Sequence, residues 1–131
     1  MGGVDRPLTP VEETFVAAVV GDEPPFLDVW RHVDSDGSPW LLISCDFVVD
    51  GAVRDTLRLD FDGTEAKGGW SQFFLNGDDG VRAESAGVEF DEPDGLALEV
   101  ESLPDAAHQA RRWFERHFLA WPNSSRSERW V

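Results

Sequence analysis

Three histidines and one cysteine are the side chains of this 131-residue chain best suited to act as bases, nucleophiles or soft metal ligands near neutral pH. Their spacing limits what they can do. His108 and His117 are nine positions apart and His32 lies far upstream, so no pair has the three-to-five spacing by which a helix offers two imidazoles to one zinc ion. Neither a metal nor a cofactor is expected. A single cysteine leaves no intrachain disulfide and no paired-thiolate site, and it fits a reducing compartment. Cys45 alternates with Ser44 and Asp46 between Ile43 and Phe47, and reads as a small core residue. An activated thiol needs an electropositive, partly exposed setting, which this neighbourhood lacks. His108 and His117 stand as candidate polar groups for a ligand.

The acidic clusters offer different chemistry. The run Leu57-Arg58-Leu59-Asp60-Phe61-Asp62-Gly63-Thr64 resembles the first motif of the haloacid dehalogenase phosphatases, and Asn76-Gly77-Asp78-Asp79 is similar to their acidic metal-binding motif. The resemblance implies Asp60 as nucleophile and Asp62 as general acid beside a magnesium ion. In that family, however, the motif ends the first strand of a parallel sheet. Here it sits mid-chain among hairpin signals, with no helix between it and Asp78. Asp62-Gly63 is therefore read as a turn. Asp34-Ser35-Asp36-Gly37 begins like a calcium loop but lacks the third acidic position and the distal glutamate that complete the oxygen shell. Asp78 and Asp79 are read as a turn that holds a cation only weakly.

Six tryptophans, at positions 30, 40, 70, 113, 121 and 130, are many for one small domain. Tryptophan concentrates both in cores and at binding hot spots. Trp70 opens an apolar cluster, Trp113 falls one residue off the stripe led by Phe114, and Trp130 lies in the tail; these three are the candidate partner-facing aromatics. Arg111, Arg112 and Arg116 give the last third of the chain a basic stripe, in which Arg112 and Arg116 share a helix face.

Charge narrows the partners. Twenty-six Asp and Glu against eleven Lys and Arg give a net charge of −15, with Lys67 the single lysine. Binding to phosphate backbones or anionic lipid depends on cationic side chains releasing counterions, so neither nucleic acid nor membrane is an expected partner. A basic protein suits this surface better. The composition also suits a GC-rich bacterial genome or a salty cytoplasm. No apolar stretch approaches the length of a membrane span, the first ten residues show no signal-peptide pattern, and a cytoplasmic location is expected.

The elements that position these residues are read from punctuation and periodicity. Thr9-Pro10-Val11-Glu12 is a helix start with a capping box, and Gly21 before Pro24-Pro25 supplies a left-handed stop, predicting a helix over Pro10 to Val20. Apolar runs then alternate with turn signals, predicting strands at Leu27 to Val33, Trp40 to Val49, Val53 to Phe61, Trp70 to Leu75, Val81 to Phe90 and Leu96 to Val100. Asp50-Gly51 and Asp62-Gly63 are hairpin turns. In the third strand Leu57, Leu59 and Phe61 face a core while Thr56, Arg58 and Asp60 face water. Ser102 or Asp105 caps a second helix from about Pro104 to Trp121, and Ala107, Ala110, Phe114, Phe118 and Trp121 form its apolar stripe.

The expectation is one α+β domain over 1–131, an antiparallel meander of five or six strands with both helices on one face and loose ends at about 1–9 and 123–131. No complete catalytic set accompanies it. The leading functional reading is a non-enzymatic, inhibitor- or immunity-type protein whose carboxylates, clustered around aromatic anchors, bind a basic protein. The alternative is a small-molecule binding or accessory protein, with weak enzymatic activity conceivable, using a Trp- and Phe-lined pocket between sheet and second helix with His108 or His117 as its polar group. A homodimer through an edge strand or exposed tryptophan is also compatible.

Overall fold

The computed structural model describes residues 6–71, 88–89 and 94–124. Helix α1 spans Pro10–Val19 and starts as its sequence dictates. Thr9 Oγ1 accepts from the Glu12 N–H at 3.1 Å, and Glu12 Oε1 accepts from the Thr9 N–H at 2.9 Å. Both otherwise orphaned donors are thereby satisfied. Glu12 is buried, which raises its pKa, but hydrogen bonds from Arg6 and Thr9 outweigh burial and hold the carboxyl below its ordinary range. Arg6 grips it with two bonds of 2.7 Å and also donates to the carbonyls of His32 and Trp40. Residues 6–9, expected to be loose, are tied to the sheet by this arginine.

The stop of α1 departs from expectation. Gly21 is not among the positive-φ glycines, and the cap residue Val20 is extended at φ −91° and ψ 119°. A left-handed cap serves to satisfy terminal carbonyls. Here Arg111, arriving from the second helix, does part of that work by donating to the Val19 carbonyl at 3.3 Å.

The strands are β1 (Asp28–Val33), β2 (Pro39–Val49), β3 (Ala52–Phe61), β4 (Glu65–Ser71), β5 (Val88–Glu89) and β6 (Leu96–Glu99). All pairings are antiparallel and β1 to β5 follow chain order, so the expected meander is present up to β5, while β6 returns to pair with β4. The short β5 and β6 lie end to end on one edge of β4, pairing with Ser71–Trp70 and with Gly68–Glu65. Asp50 and Gly51, at φ 53° and 79°, make the tight β2–β3 turn that Asp-Gly favours. Helix α2 spans Leu103–Ala120 with Ser102 as N-cap, and a 3-10 turn, Trp121–Asn123, follows where Pro122 forbids continuation. Residues 72–75, 81–87 and 90 of the expected strands lie outside the described residues.

Both helices pack on the same face, side by side. Phe15 stacks on Phe61 with ring centroids 3.8 Å apart, and Phe47 stacks on Trp121 at 4.9 Å. Trp113, read as a candidate exposed aromatic, is 1% exposed. Its ring lies over Gly68 of β4, and its indole N–H donates to the Asp94 carbonyl at 2.7 Å. The apolar face of α2 is thus wider than the predicted stripe, because a strand glycine without a side chain admits an indole beneath the helix.

The opposite face of the sheet is also corrected. It is not wet at its centre: Trp40, Leu42, Ser44, Thr56 and Arg58 are all buried. Polar groups there satisfy one another, as burial requires. Trp30 Nε1 donates to Ser44 Oγ, Thr56 Oγ1 to Asp46, and Arg58 to both oxygens of Asp60 at 2.7 and 3.0 Å. Ser44 and Gly69, the register partners of Arg58 on β2 and β4, are small enough to leave room for its long side chain.

Candidate functional site

The chemistry suggested by the phosphatase-like run dissolves in this geometry. Asp60 is held by Arg58, and Asp62 Oδ1 accepts from the backbone of Thr64 and Glu65 and from Thr64 Oγ1 at 2.9 to 3.0 Å. Asp62 shapes a hairpin whose Gly63 takes φ 97°. Asp36 likewise caps its turn, and hydrogen bonds from Ser38 lower its pKa. Among the described residues no cluster of His, Cys, Asp and Glu is arranged to hold a metal. Asp78, Asp79 and Trp130 lie outside the described residues.

Cys45 faces the core, as the alternation predicts. Burial, with the charges of Asp46 and Asp28 adding to it, pushes its thiol up to about 12. A thiol so raised is protonated throughout the physiological range and therefore inert. Ellman's reagent at pH 8 should leave the folded protein unmodified and titrate one thiol once it is unfolded in guanidinium. Rapid modification of the folded protein would mean that the β2 strand opens.

Two surfaces remain. The first is a groove of about 340 Å³ where the α1–β1 connection meets the C-terminal half of α2, lined by Pro24, Pro25, Glu115, Phe118 and Leu119. Leu119 in this lining and Phe26, which follows Pro25 in the chain, are 74% and 69% exposed, large apolar groups left to water. Asp22 and Glu23 are exposed on the same connection, Asp28 is exposed at the start of β1, and Glu115 lies in the lining of the groove. One cation holds this region together. Arg111 donates to the carbonyls of Val19, Glu23, Pro24 and Pro25 at 3.1 to 3.3 Å and to Glu115 at 3.1 Å. Its charge is turned inward on carbonyls and paired with Glu115, and the exposed carboxylates of the connection are those of Asp22 and Glu23. The Pro24–Pro25 bond is cis.

The second surface is a cavity of about 310 Å³ lined by Trp70, Asp94, Arg116, His117, Ala120, Trp121 and Ser124. The tryptophans are fixed by their indole N–H groups: Trp70 donates to Asp94 Oδ2 at 3.2 Å, Trp121 to the buried Asp55 at 2.9 Å. His117, 8% exposed, sits edge-on to Trp70 and Trp113 at 5.7 and 5.6 Å. The structure therefore brings together Trp70, Arg116 and His117 of the sequence candidates. It leaves Arg112 and His108 exposed on the outer face of α2 and places Trp113 in the core.

Sequence reasoning missed Phe26 and Leu119, because an apolar residue beside a proline pair or on a helix flank carries no mark of exposure. Comparison of the chain with protein-family models, with curated proteins and with solved structures finds no match in any of the three.

Proposed function

We propose that this chain is a non-enzymatic, inhibitor-type interaction protein that docks a basic protein on the groove between the α1–β1 connection and α2. The observation that carries this reading is the exposure of Leu119 in the groove and of Phe26 next to its Pro25, with Glu115 in the lining and Asp22 and Glu23 exposed on the same connection. An apolar centre with a charged rim is the anatomy of a protein interface: the centre supplies burial energy and the rim supplies steering. The fitting partner presents an apolar side chain among lysines and arginines. A second copy of this chain, itself carrying −15, is the poorer occupant.

Two effects should separate in the test. Capture from lysate of the source organism should retain one basic protein in stoichiometric amount on the wild-type chain at low salt. Retention should fall as salt rises, since rim charges act within a Debye length of about 10 Å at 0.1 M. Retention on the Phe26→Ser/Leu119→Ser double variant should fall at least about tenfold, each anchor being a buried hot spot in the complex. A basic protein retained equally by the variant and at high salt would refute the groove as the docking surface.

A further inference from the structure

We infer that the cavity beneath the C-terminal turn of α2 is a binding site for a small aromatic carboxylic acid, with Arg116 receiving the carboxylate and Trp70 and Trp121 receiving the ring. The site is distinct from the docking groove, and its residues play no part in that reading. Four observations converge on the ligand class.

Size comes first: about 310 Å³ is at the low end of ligand pockets and suits a single-ring molecule. The walls are next. Trp70 and Trp121 are 3% and 8% exposed, and their indole N–H groups are bonded to Asp94 and Asp55. They border the cavity as rigid rings that leave only a small part of their surface free and whose polar ends are already satisfied, which favours a small planar apolar body seated beside them over a sugar or polyol.

The third observation is the cation. Arg111 of the same helix is consumed by four carbonyls and Glu115, whereas Arg116 has no hydrogen-bond or ion-pair partner among the described residues and borders the cavity. A guanidinium presents a planar fork that matches a carboxylate with two parallel bonds. His117, more than nine-tenths buried, adds an imidazole to the same wall. Asp94 does not compete for the guanidinium through an ion pair; its Oδ2 accepts from Trp70 and its carbonyl from Trp113, so it anchors the wall.

The fourth is the field of the whole molecule. At −15 it repels polyanions, so a single arginine selects a monoanion over a phosphate ester or a nucleotide.

The test uses benzoate as probe and benzamide as its neutral isostere, followed by the indole N–H resonances in ¹H–¹⁵N spectra of the full chain. Trp70 and Trp121 are assigned by single Trp→Phe variants. Benzoate at millimolar concentration should shift these two indole resonances saturably, and benzamide should bind at least about tenfold more weakly, a difference of about 1.4 kcal/mol. Arg116→Gln, a change at an exposed side chain, should lose benzoate to the same degree with an unchanged thermal midpoint, and Arg116→Lys should fall between. Inorganic phosphate should leave the two resonances where they are. The inference is overturned if benzoate produces no saturable shift, if benzamide matches it, or if Arg116→Gln binds benzoate as the wild type does.

Discussion

Gly68→Ala should destabilise the domain by about 2–3 kcal/mol, the cost of forcing one extra methyl into a filled core. The strand conformation at Gly68 suits any residue; the neighbour does not. A Cβ at this position would lie 2.8 Å from Trp113 Cζ3 and 3.0 Å from Cζ2, distances that packed atoms do not share. Trp113 has no room to retreat. Its N–H is held by the Asp94 carbonyl, and its ring is packed at 5.0 Å against Phe114 and 5.6 Å against His117. Urea denaturation reads the loss directly. In a Trp113→Leu background, where the strand-facing ring is gone, the same alanine should cost far less, and this coupling separates a clash from a loss of strand propensity. Strict additivity of the two substitutions would show that Trp113 does not rest on Gly68.

Arg111→Met should cost about 3 kcal/mol while keeping the apolar stem of the side chain. The guanidinium ties α2 to the end of α1 and to the connection that follows it through four carbonyls, and hydrogen bonds from a charged donor contribute about 1.5–3 kcal/mol each before water replaces those that become exposed. The partly buried carbonyls of Val19 and Pro25 would be left without this donor. The substitution bears on function as well as stability. Asp22, Glu23 and Phe26 ride on the connection that Arg111 fastens, so partner retention should weaken although none of the exposed groove residues has changed. Hydrogen exchange should show faster exchange confined to residues 20–27 and the adjoining turn of α2. Exchange and stability at wild-type values would mean that packing of Pro24 and Pro25 alone positions the connection.

How far these features were legible depends on the kind of signal each leaves. The start of α1 was readable because a capping box is a local device, complete within Thr9 to Glu12. Asp50-Gly51 and Asp62-Gly63 were readable for the same reason: positive φ is demanded locally and glycine answers it. The first half of β4 was not, since Glu65-Ala66-Lys67-Gly68-Gly69 has poor strand propensity. Those glycines answer long-range demands, the ring of Trp113 over Gly68 and a small register partner for Arg58 at Gly69, which no local window contains. The burial of Arg58 was hidden likewise. Alternation assigned it to the second face of the sheet correctly, but period alone does not say whether a face is covered.

The sites divide in the same way. The sequence identified tryptophans and a basic stripe, but not that Arg111 spends its charge on carbonyls while Arg116 borders a cavity. That distinction arises from the α1–β1 connection folding back onto α2. The exposure of Phe26 has the same origin, since it is the neighbouring Pro25 and Leu27 that are buried.

The docking surface is tested most directly by placing the photoreactive amino acid p-benzoylphenylalanine at position 26 and, separately, at Ser35. Ser35 is also exposed, at the β1–β2 turn, one six-residue strand or about 20 Å away along β1. Irradiation in lysate should attach one basic protein to the chain through position 26 and not through position 35, with the yield falling as salt is raised. No adduct at position 26, or the same adduct from both positions, would contradict an acidic-rimmed groove as the place where this protein meets its partner.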